Sequence, residues 1–135
     1  MAAVLVDSNV ILDVVTEDRR WFEWSSARLT ECSETGSLII NPIIYAEVSI
    51  RFDRIEDVNA ALPAEFFHRA QLPWEAAFLA GKCFLRYRKH GGQRASPLPD
   101  FYIGAHAAVA GLTLLTRDPT RYRTYFPRLR LIAPD

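Results

Sequence analysis

Residues 4–13 read VLVDSNVILD, an apolar run that ends at a carboxylate and continues with apolar residues at helical spacing. The first part, residues 3–6, is typical of a short strand that is buried on both faces of a parallel sheet. Residues 8–15 begin with small polar residues and predict a helix. Asp7 therefore lies where a strand passes into a helix. In parallel α/β sheets, ligands bind beyond the carboxyl ends of the strands.

The same alternation of strand and helix patterns continues along the chain. Further strands are predicted over residues 37–40, 66–68, 112–115 and 129–132, and further helices over 21–34, 41–52, 55–62, 74–89 and 100–110. Chain breakers are concentrated in residues 90–99, HGGQRASPLP, and no repeat or linker interrupts the pattern. Strands that alternate with helices predict an α/β layered domain with a parallel sheet, and one domain over residues 1–135.

The composition is that of an ordinary globular protein. Of the 135 residues, 50% are hydrophobic and 24% are charged, which is enough to bury a core without disulfide or metal staples. Cys32 and Cys83 form no C-x-x-C pattern and are expected to be reduced thiols. No signal peptide is recognisable, and no apolar run approaches the ~20 residues that cross a bilayer. We expect a soluble, cytoplasmic protein without a membrane partner.

Charge is balanced overall but uneven along the chain. The 16 basic and 16 acidic residues give a net charge of zero, which by itself does not favour a nucleic-acid partner, because contacts to phosphate usually dominate such binding. After residue 85, however, only Asp100, Asp118 and Asp135 oppose a basic set comprising Arg86, Arg88, Lys89, Arg94, Arg117, Arg121, Arg123, Arg128 and Arg130. This distribution predicts a locally basic surface.

Four carboxylates fall where such a fold collects functional groups. Asp7 follows the first strand, and Asp118 comes shortly after the predicted strand at 112–115. Asp100 begins the helix that leads into that strand, and Glu47 lies on the helix after the second strand. If the first and fourth strands are parallel neighbours, Asp7 and Asp118 emerge at the same edge of the sheet. We therefore expect the four acids to converge.

A cluster of carboxylates requires either protons or a cation. Like charges in a partly desolvated cleft repel one another strongly. Ligand sets that contain only oxygen favour Mg²⁺ or Mn²⁺ over zinc. A carboxylate-held Mg²⁺ that keeps several waters is suited to the cleavage of phosphodiesters. The sequence therefore predicts a metal-dependent hydrolase of nucleic acid.

Each acid also has a purely structural explanation. Asp7 could cap a helix, and Asp100 could complement a helix dipole. Glu47 could pair with Arg51 four residues further on, and Asp118 could be an ordinary turn residue. Taken singly, the structural explanations are the stronger ones. Their joint position at strand ends favours a functional cluster.

Four segments of the chain resemble the PIN-domain family, and specifically the VapC toxins of bacterial toxin–antitoxin pairs. They are VLVDSNVILD at 4–13, YAEV at 45–48, PDFYIGAHAAVAG at 99–111 and LLTRD at 114–118, in the family's order and spacing. The resemblance implies a three-layer α/β/α PIN-like (Rossmann-like) domain with a short central parallel sheet. It also implies a Mg²⁺- or Mn²⁺-dependent endonuclease that acts on RNA. The implied partners are a second copy of the chain and a cognate antitoxin, which alone would contact operator DNA.

The resemblance assigns a role to each acid of the catalytic quartet. Asp7 and Asp100 would bind the metal directly, and Asp118 would bind it directly or through a water. Glu47 would orient the metal-bound water. Histidine is left out of this mechanism, because the three histidines show no pairing and His106 is expected to be structural.

Two further groups of residues are predicted around the quartet. Ser8 and Thr116 occupy positions where the family has small hydroxyl residues that support the metal ligands, and Asn9 is expected to form structural hydrogen bonds. Arg117 is a candidate phosphate contact because it precedes Asp118. The end of the long helix offers further candidates, unless it is only a solvated helix end: Arg86, Arg88 and Lys89.

Other functions are compatible with parts of this pattern. A non-catalytic PIN-fold binding module would show no metal dependence, and a DNA-directed nuclease usually carries elements that 135 residues cannot hold. A phosphoacceptor domain would need paired acids after the first strand and a lysine near the last, but Asp7 stands alone and no lysine follows Lys89. The aromatic residues Trp21, Phe22 and Trp24 are a candidate docking face for an antitoxin, or ordinary packing.

Overall fold

The computed structural model describes residues 3–135, so the first two residues of the predicted domain lie outside the described part. Strands and helices alternate along these residues. They are β1 Ala3–Val6, α1 Ser8–Val15, α2 Phe22–Thr35, β2 Ser37–Ile40, α3 Pro42–Ser49, α4 Ile55–Ala61, β3 Phe67–Arg69, α5 Trp74–Lys89, α6 Pro99–Ala110, β4 Thr113–Leu115, α7 Thr120–Tyr125 and β5 Leu131–Ile132.

The strands form one parallel sheet in the order β3-β2-β1-β4-β5, which confirms the predicted parallel sheet. β1 lies at its centre, where Val4 is paired with Leu38 on one side and with Thr113 on the other. The backbone N–H of Asp7 donates to the carbonyl of Leu115 at 2.9 Å, which extends the β1–β4 pairing by one step. The chain segments that follow β1 and β4 therefore leave the sheet side by side.

The helices cover both faces of the sheet, as predicted for a three-layer α/β/α domain. The chain first moves from β1 to β2 and β3, and then returns across the sheet to β4 and β5. Because crossover connections between parallel strands are right-handed, these opposite directions place the helices on opposite faces. The contacts agree, since α1 packs on α2, and α6 packs on both α5 and α7. Within residues 3–135, no helix is both long and apolar enough to span a membrane.

Local capping explains why most predicted boundaries are confirmed to within one or two residues. Asn41 accepts a 2.9 Å hydrogen bond from the N–H of Ile44 through its side chain, which begins α3 ahead of Pro42. Gly111 ends α6 with a φ of 68°, a left-handed conformation that favours glycine. These signals are local, so the sequence reveals them.

One local prediction is wrong, and one helix is missing from the predicted elements. The helix expected to reach Phe52 ends at Ser49, because the N–H groups of Arg51 and Phe52 bond to carbonyls three residues back and tighten the last turn. The helix α7 was not predicted at all. Its six residues, TRYRTY, are too short and too polar to show the apolar spacing of a buried helix.

Candidate active site

Asp7 lies at the centre of the candidate site, at the end of β1 and the start of α1. Its Oδ1 accepts a 2.8 Å hydrogen bond from the backbone N–H of Ser8. Its Oδ2 accepts from the hydroxyls of Thr116 and Tyr122, each at 2.9 Å. Only 3% of Asp7 is exposed. The carboxylate is thus buried and oriented by donors from three parts of the chain.

Asp100, on the first turn of α6, shares one of these donors with Asp7. The hydroxyl of Tyr122 lies 3.4 Å from Oδ1 of Asp100, in addition to its shorter contact with Asp7. On the other side, Nη1 of Arg121 lies 3.2 Å from Oδ2 of Asp100. Two of the predicted acids therefore meet at a single oxygen atom, and α7 supplies both the hydroxyl and the guanidinium that contact them.

Glu47 approaches the same place from α3. The hydroxyl of Ser8 donates to Oε1 of Glu47 at 2.8 Å, which ties this side chain to the residue next to Asp7. Among residues 3–135, no ion pair joins Glu47 to Arg51. The surface-pair explanation for Glu47 is therefore wrong, because α3 ends before the turn that would place Arg51 above it.

Asp118 lies at the rim rather than within the buried cluster. The residue is exposed, and its backbone N–H donates to the hydroxyl of Thr116 at 3.1 Å. Its side chain lines a surface pocket together with Asp100 and Arg121. Asp7, Asp100 and Glu47 thus lie close together in the buried part of the site, and Asp118 lies at its exposed edge.

Burial and mutual repulsion change the acid–base properties of the cluster. Burial raises the pKa of Asp7 to about 7, the charge of Asp100 adds to this effect, and hydrogen bonds from Thr116 and Tyr122 oppose it. Burial also raises the pKa of Glu47. The pKa of Tyr122 is raised well above its ordinary value by burial and by the neighbouring carboxylates, so its hydroxyl keeps its proton. The raised pKa values show that accumulated negative charge in this cluster is unfavourable.

The donor set fits a hard divalent cation. Mg²⁺ is usually held by one or two carboxylates, with waters in its other positions. Asp7 and Asp100 form such a pair of oxygen donors around the Tyr122 hydroxyl. Across the described range of 3–135, no three acidic, histidine or cysteine side chains lie close enough together to hold an ion as they stand. The direct role predicted for Asp118 stays a prediction.

The three residues expected to support the ligands all lie beside Asp7. Nδ2 of Asn9 lies 3.2 Å from the hydroxyl of Thr116 and 3.4 Å from Oδ2 of Asp7. The side-chain oxygen of Asn9 accepts from the backbone N–H of Arg117 at 3.2 Å. Asn9, Thr116 and Ser8 thus link the end of β4 to the start of α1. Their contribution to catalysis remains a prediction.

Arg117 has a structural partner that was not anticipated. Its Nε lies 2.9 and 3.1 Å from the two oxygens of Asp13, a residue that is 2% exposed. The hydroxyl of Ser25 donates to the same carboxylate at 2.7 Å, and the guanidinium lies 5.7 Å from the ring centroid of Trp21. The guanidinium thus joins the segment after β4 to α1 and α2. The phosphate contact predicted for Arg117 remains untested.

The basic end of α5 lies near the acids. The guanidinium of Arg86 sits 5.5 Å from the ring centroid of Tyr125, which lines the same pocket as Asp100. Nη1 of Arg88 donates to the carbonyl of Arg94 at 2.8 Å and so restrains the loop after α5. Lys89 is exposed. Arg86 is thus in contact with a residue that lines the pocket beside Asp100.

Sequence reasoning missed Tyr122 and Arg121, which bring α7 to the acids. Their only local signal is an aromatic and a cation in a short polar segment, and this signal does not distinguish them from surface residues. His106, by contrast, is buried with Nδ1 2.9 Å from Nδ2 of Asn41, and burial lowers its pKa. That environment is the structural one predicted for it.

The sequence of residues 4–127 matches the PIN domain family. The match covers most of the chain, which therefore belongs to the PIN-domain family, and the predicted family resemblance is confirmed. No curated protein matches the chain in sequence.

Solved structures share the fold over nearly the whole chain. VapBC2 from Rickettsia felis, bound to a DNA fragment from their promoter, is 16% identical with a TM-score of 0.74, covering 98% of this chain and 99% of that one. VapBC-1 from nontypeable Haemophilus influenzae is 18% identical with a TM-score of 0.72 and 97% coverage of both chains. A toxin–antitoxin complex from Klebsiella pneumoniae is 18% identical with a TM-score of 0.67 and 98% coverage of both.

Proposed function

We propose that this chain is a VapC-type toxin, an endoribonuclease that hydrolyses phosphodiesters with Mg²⁺ or Mn²⁺ at the acidic cluster. The observation that carries the proposal is the convergence of Asp7, Asp100 and Glu47 at the carboxyl edge of a parallel sheet in a PIN domain. Three buried or half-buried carboxylates at one point are costly to fold. Binding a divalent cation offsets that cost.

Each side chain of the cluster has a proposed role that follows from its position. Asp7 and Asp100 would hold the ion, which supplies positive charge to the phosphodiester and to an attacking water. Glu47, whose pKa is raised by burial, would accept a proton from that water. Tyr122 orients Asp7 through its 2.9 Å hydrogen bond. Asp118, at the rim, would complete the quartet directly or through a water.

The proposed partners follow from the family and from the apolar surface. We propose a homodimer and a cognate antitoxin that alone contacts operator DNA. The support is that this chain shares its fold with one chain of a toxin–antitoxin complex and with one chain of a VapBC bound to promoter DNA. The rings of Trp21 and Trp24 pack edge to face, 6.1 Å apart, on the predicted docking face. An apolar groove lies between α1, α2 and α4, lined by Ile11, Val14, Leu29, Ala60 and Phe66.

Cys32 and Cys83 are both buried free thiols, which supports the proposed cytoplasmic location.

The proposal is tested by incubating total cellular RNA with the purified, antitoxin-free chain. Mg²⁺, Mn²⁺ and EDTA are compared, and Asp7→Asn is set beside Asp57→Asn, an exposed acid on α4 that serves as the matched control. We expect discrete fragments that disappear with EDTA and with Asp7→Asn and persist with Asp57→Asn. Cleavage that survives EDTA or Asp7→Asn contradicts the site.

The same experiment separates the alternatives. A folded chain that cuts no RNA in either metal favours a PIN-fold binding module. A chain that cuts single-stranded DNA of matched sequence as fast as RNA favours a DNA-directed nuclease. Antitoxin binding is measured separately with Trp21→Ala and Trp24→Ala, and unchanged affinity in both variants rejects the docking face.

A further inference from the structure

A surface pocket opens beside the acidic cluster and shares two of its acids. It is lined by Tyr87, Asp100, Asp118, Thr120, Arg121, Thr124 and Tyr125. Its volume of about 530 Å³ falls in the range of ~300–1,000 Å³ that is usual for sites that hold small ligands. Any group bound in this pocket therefore lies next to Asp100 and Asp118.

Two aromatic walls of the pocket are held in place by the residue next to Asp100. Phe101 is fully buried, and its ring packs edge to face against Tyr125 at 5.0 Å and against Tyr87 at 5.7 Å between centroids. The guanidinium of Arg86 lies 5.5 Å from the centroid of Tyr125. Because Phe101 directly follows Asp100 on α6, the positions of both tyrosines are coupled to that of a proposed metal ligand.

The remaining lining is polar and partly cationic. Thr120 and Thr124 bring hydroxyl groups, and Arg121 brings a guanidinium whose Nη1 is 3.2 Å from Asp100. Hydroxyls of this kind can pair with the edge of a base or with a ribose 2′-hydroxyl. The charge of Arg121 suits a phosphate beside the bound nucleoside.

We propose that this pocket binds one unstacked nucleotide of a single-stranded RNA and sets the base preference beside the cleaved bond. Proteins that bind single strands combine cationic grooves with aromatic and guanidinium surfaces on which bases stack. This pocket offers that combination within reach of the acids, with Tyr125 and Arg86 as the stacking pair and Arg121 as the phosphate contact. The inference rests on the proposed ribonuclease function and extends it to substrate selection.

The test uses short single-stranded RNA substrates randomised on both sides of the mapped cleavage position. Wild type, Tyr125→Ala, Tyr125→Phe and Arg86→Ala are compared for kcat, KM and base preference. The matched control is Phe78→Ala, because Lys82 lies 5.1 Å from the Phe78 ring in a similar cation–aromatic pair outside the pocket. We expect Tyr125→Ala to raise KM by about 5- to 100-fold and to flatten the preference at one position. Tyr125→Phe should retain both properties, Arg86→Ala should be intermediate, and Phe78→Ala should match wild type.

A purely structural role for Tyr125 predicts a different result. It would lower the melting temperature or kcat and leave the base preference unchanged, and that outcome overturns the proposal. If Tyr125→Ala does not fold, Arg86→Ala carries the test, because its side chain is exposed. Equal dependence on Tyr125 with a DNA strand of the same sequence overturns the assignment to RNA.

A second measurement tests the nucleotide-binding pocket separately from the proposed ribonuclease activity. Binding of a fluorescent RNA strand is measured by anisotropy with wild type and Tyr125→Ala, independently of cleavage. Binding that Tyr125→Ala weakens, without any cleavage by wild type, supports the pocket and rejects the nuclease. Cleavage by wild type with binding and preference unaffected by Tyr125→Ala supports the nuclease and rejects the pocket.

Discussion

The hydroxyl of Tyr122 donates a 2.9 Å hydrogen bond to Oδ2 of Asp7, a residue 115 positions away in the chain. Tyr122 is 1% exposed and Asp7 is 3% exposed, so this contact is shielded from water. The same hydroxyl lies 3.4 Å from Oδ1 of Asp100. A single neutral donor therefore keeps two carboxylates at a short and defined separation.

Removal of this hydroxyl should destabilise the folded chain mainly when Asp7 is ionised. Tyr122→Phe keeps the buried ring and deletes one donor to a buried carboxylate. We expect the free energy of unfolding to fall by about 1–3 kcal/mol at pH 8 and by less at pH 5, because hydrogen bonds to charged acceptors are the stronger ones. Urea unfolding at both pH values measures the effect. Tyr102→Phe, a partly buried tyrosine on α6, is the control, and equal losses at both pH values would contradict the expectation.

The raised pKa of Asp7 predicts how stability depends on pH. Burial raises this pKa from 3.8 to about 7, so between these values the folded chain holds a proton that the unfolded chain has released. The corresponding stability is present below about pH 4 and is lost as the pH rises through about 7. The pKa of Glu47 is raised in the same direction.

Asp7→Asn should remove this dependence. Without divalent ions, we expect the variant to be more stable than wild type at pH 8 by about 1–3 kcal/mol, with the difference shrinking towards pH 4. Addition of Mg²⁺ at pH 8 should stabilise wild type and leave Asp7→Asn unchanged. Thermal unfolding across this pH range measures both effects. A wild-type stability that increases steadily from pH 5 to pH 8 would falsify this expectation.

The Asp13–Arg117 pair should be important for stability, because one partner is almost fully buried. Arg117→Met leaves the Asp13 carboxylate with the hydroxyl of Ser25 as its remaining side-chain donor. We expect the free energy of unfolding to fall by about 2–4 kcal/mol, and a second change, Asp13→Leu, to recover part of the loss. Glu31→Ala, which breaks an exposed pair with Arg28, should cost less than about 1 kcal/mol. Similar losses in Arg117→Met and Glu31→Ala would show that Asp13 is not effectively buried.

Two helical glycines should respond in opposite directions to alanine. A Cβ at Gly104 on α6 would overlap the ring of Phe126, which is 6% exposed and cannot swing into solvent. We expect Gly104→Ala to cost about 1–3 kcal/mol. A Cβ at Gly81 on α5 meets no atom within 4 Å, so Gly81→Ala should stabilise the chain by about 0.4–1 kcal/mol. Chemical denaturation measures both variants, and a Gly104→Ala variant as stable as wild type would contradict the close packing of Phe126 against α6.

The order of strands and helices was predictable because its signals are local. Apolar runs, breakers and caps act over a few residues, and they located α5 at Trp74–Lys89 and β2 at Ser37–Ile40 without error. The short helix α7 escaped prediction, because its burial comes from a single tyrosine, Tyr122, rather than from a repeated apolar face. The end of α3 was placed too late for a similar reason, since a tight final turn leaves little trace in the sequence.

By itself, the sequence determined the alternation of strands and helices and the elements on which Asp7, Glu47 and Asp100 lie. Only the tertiary structure decided which side chains meet at the site. It joined Tyr122 to Asp7 and Asp100, paired Arg117 with Asp13, placed Asp118 at the rim and brought the end of α5 beside the acids. The physical reason is that a local pattern encodes how deeply a residue is buried and in which element. Contacts between residues a hundred positions apart depend on strand order and on the packing of helices across the sheet.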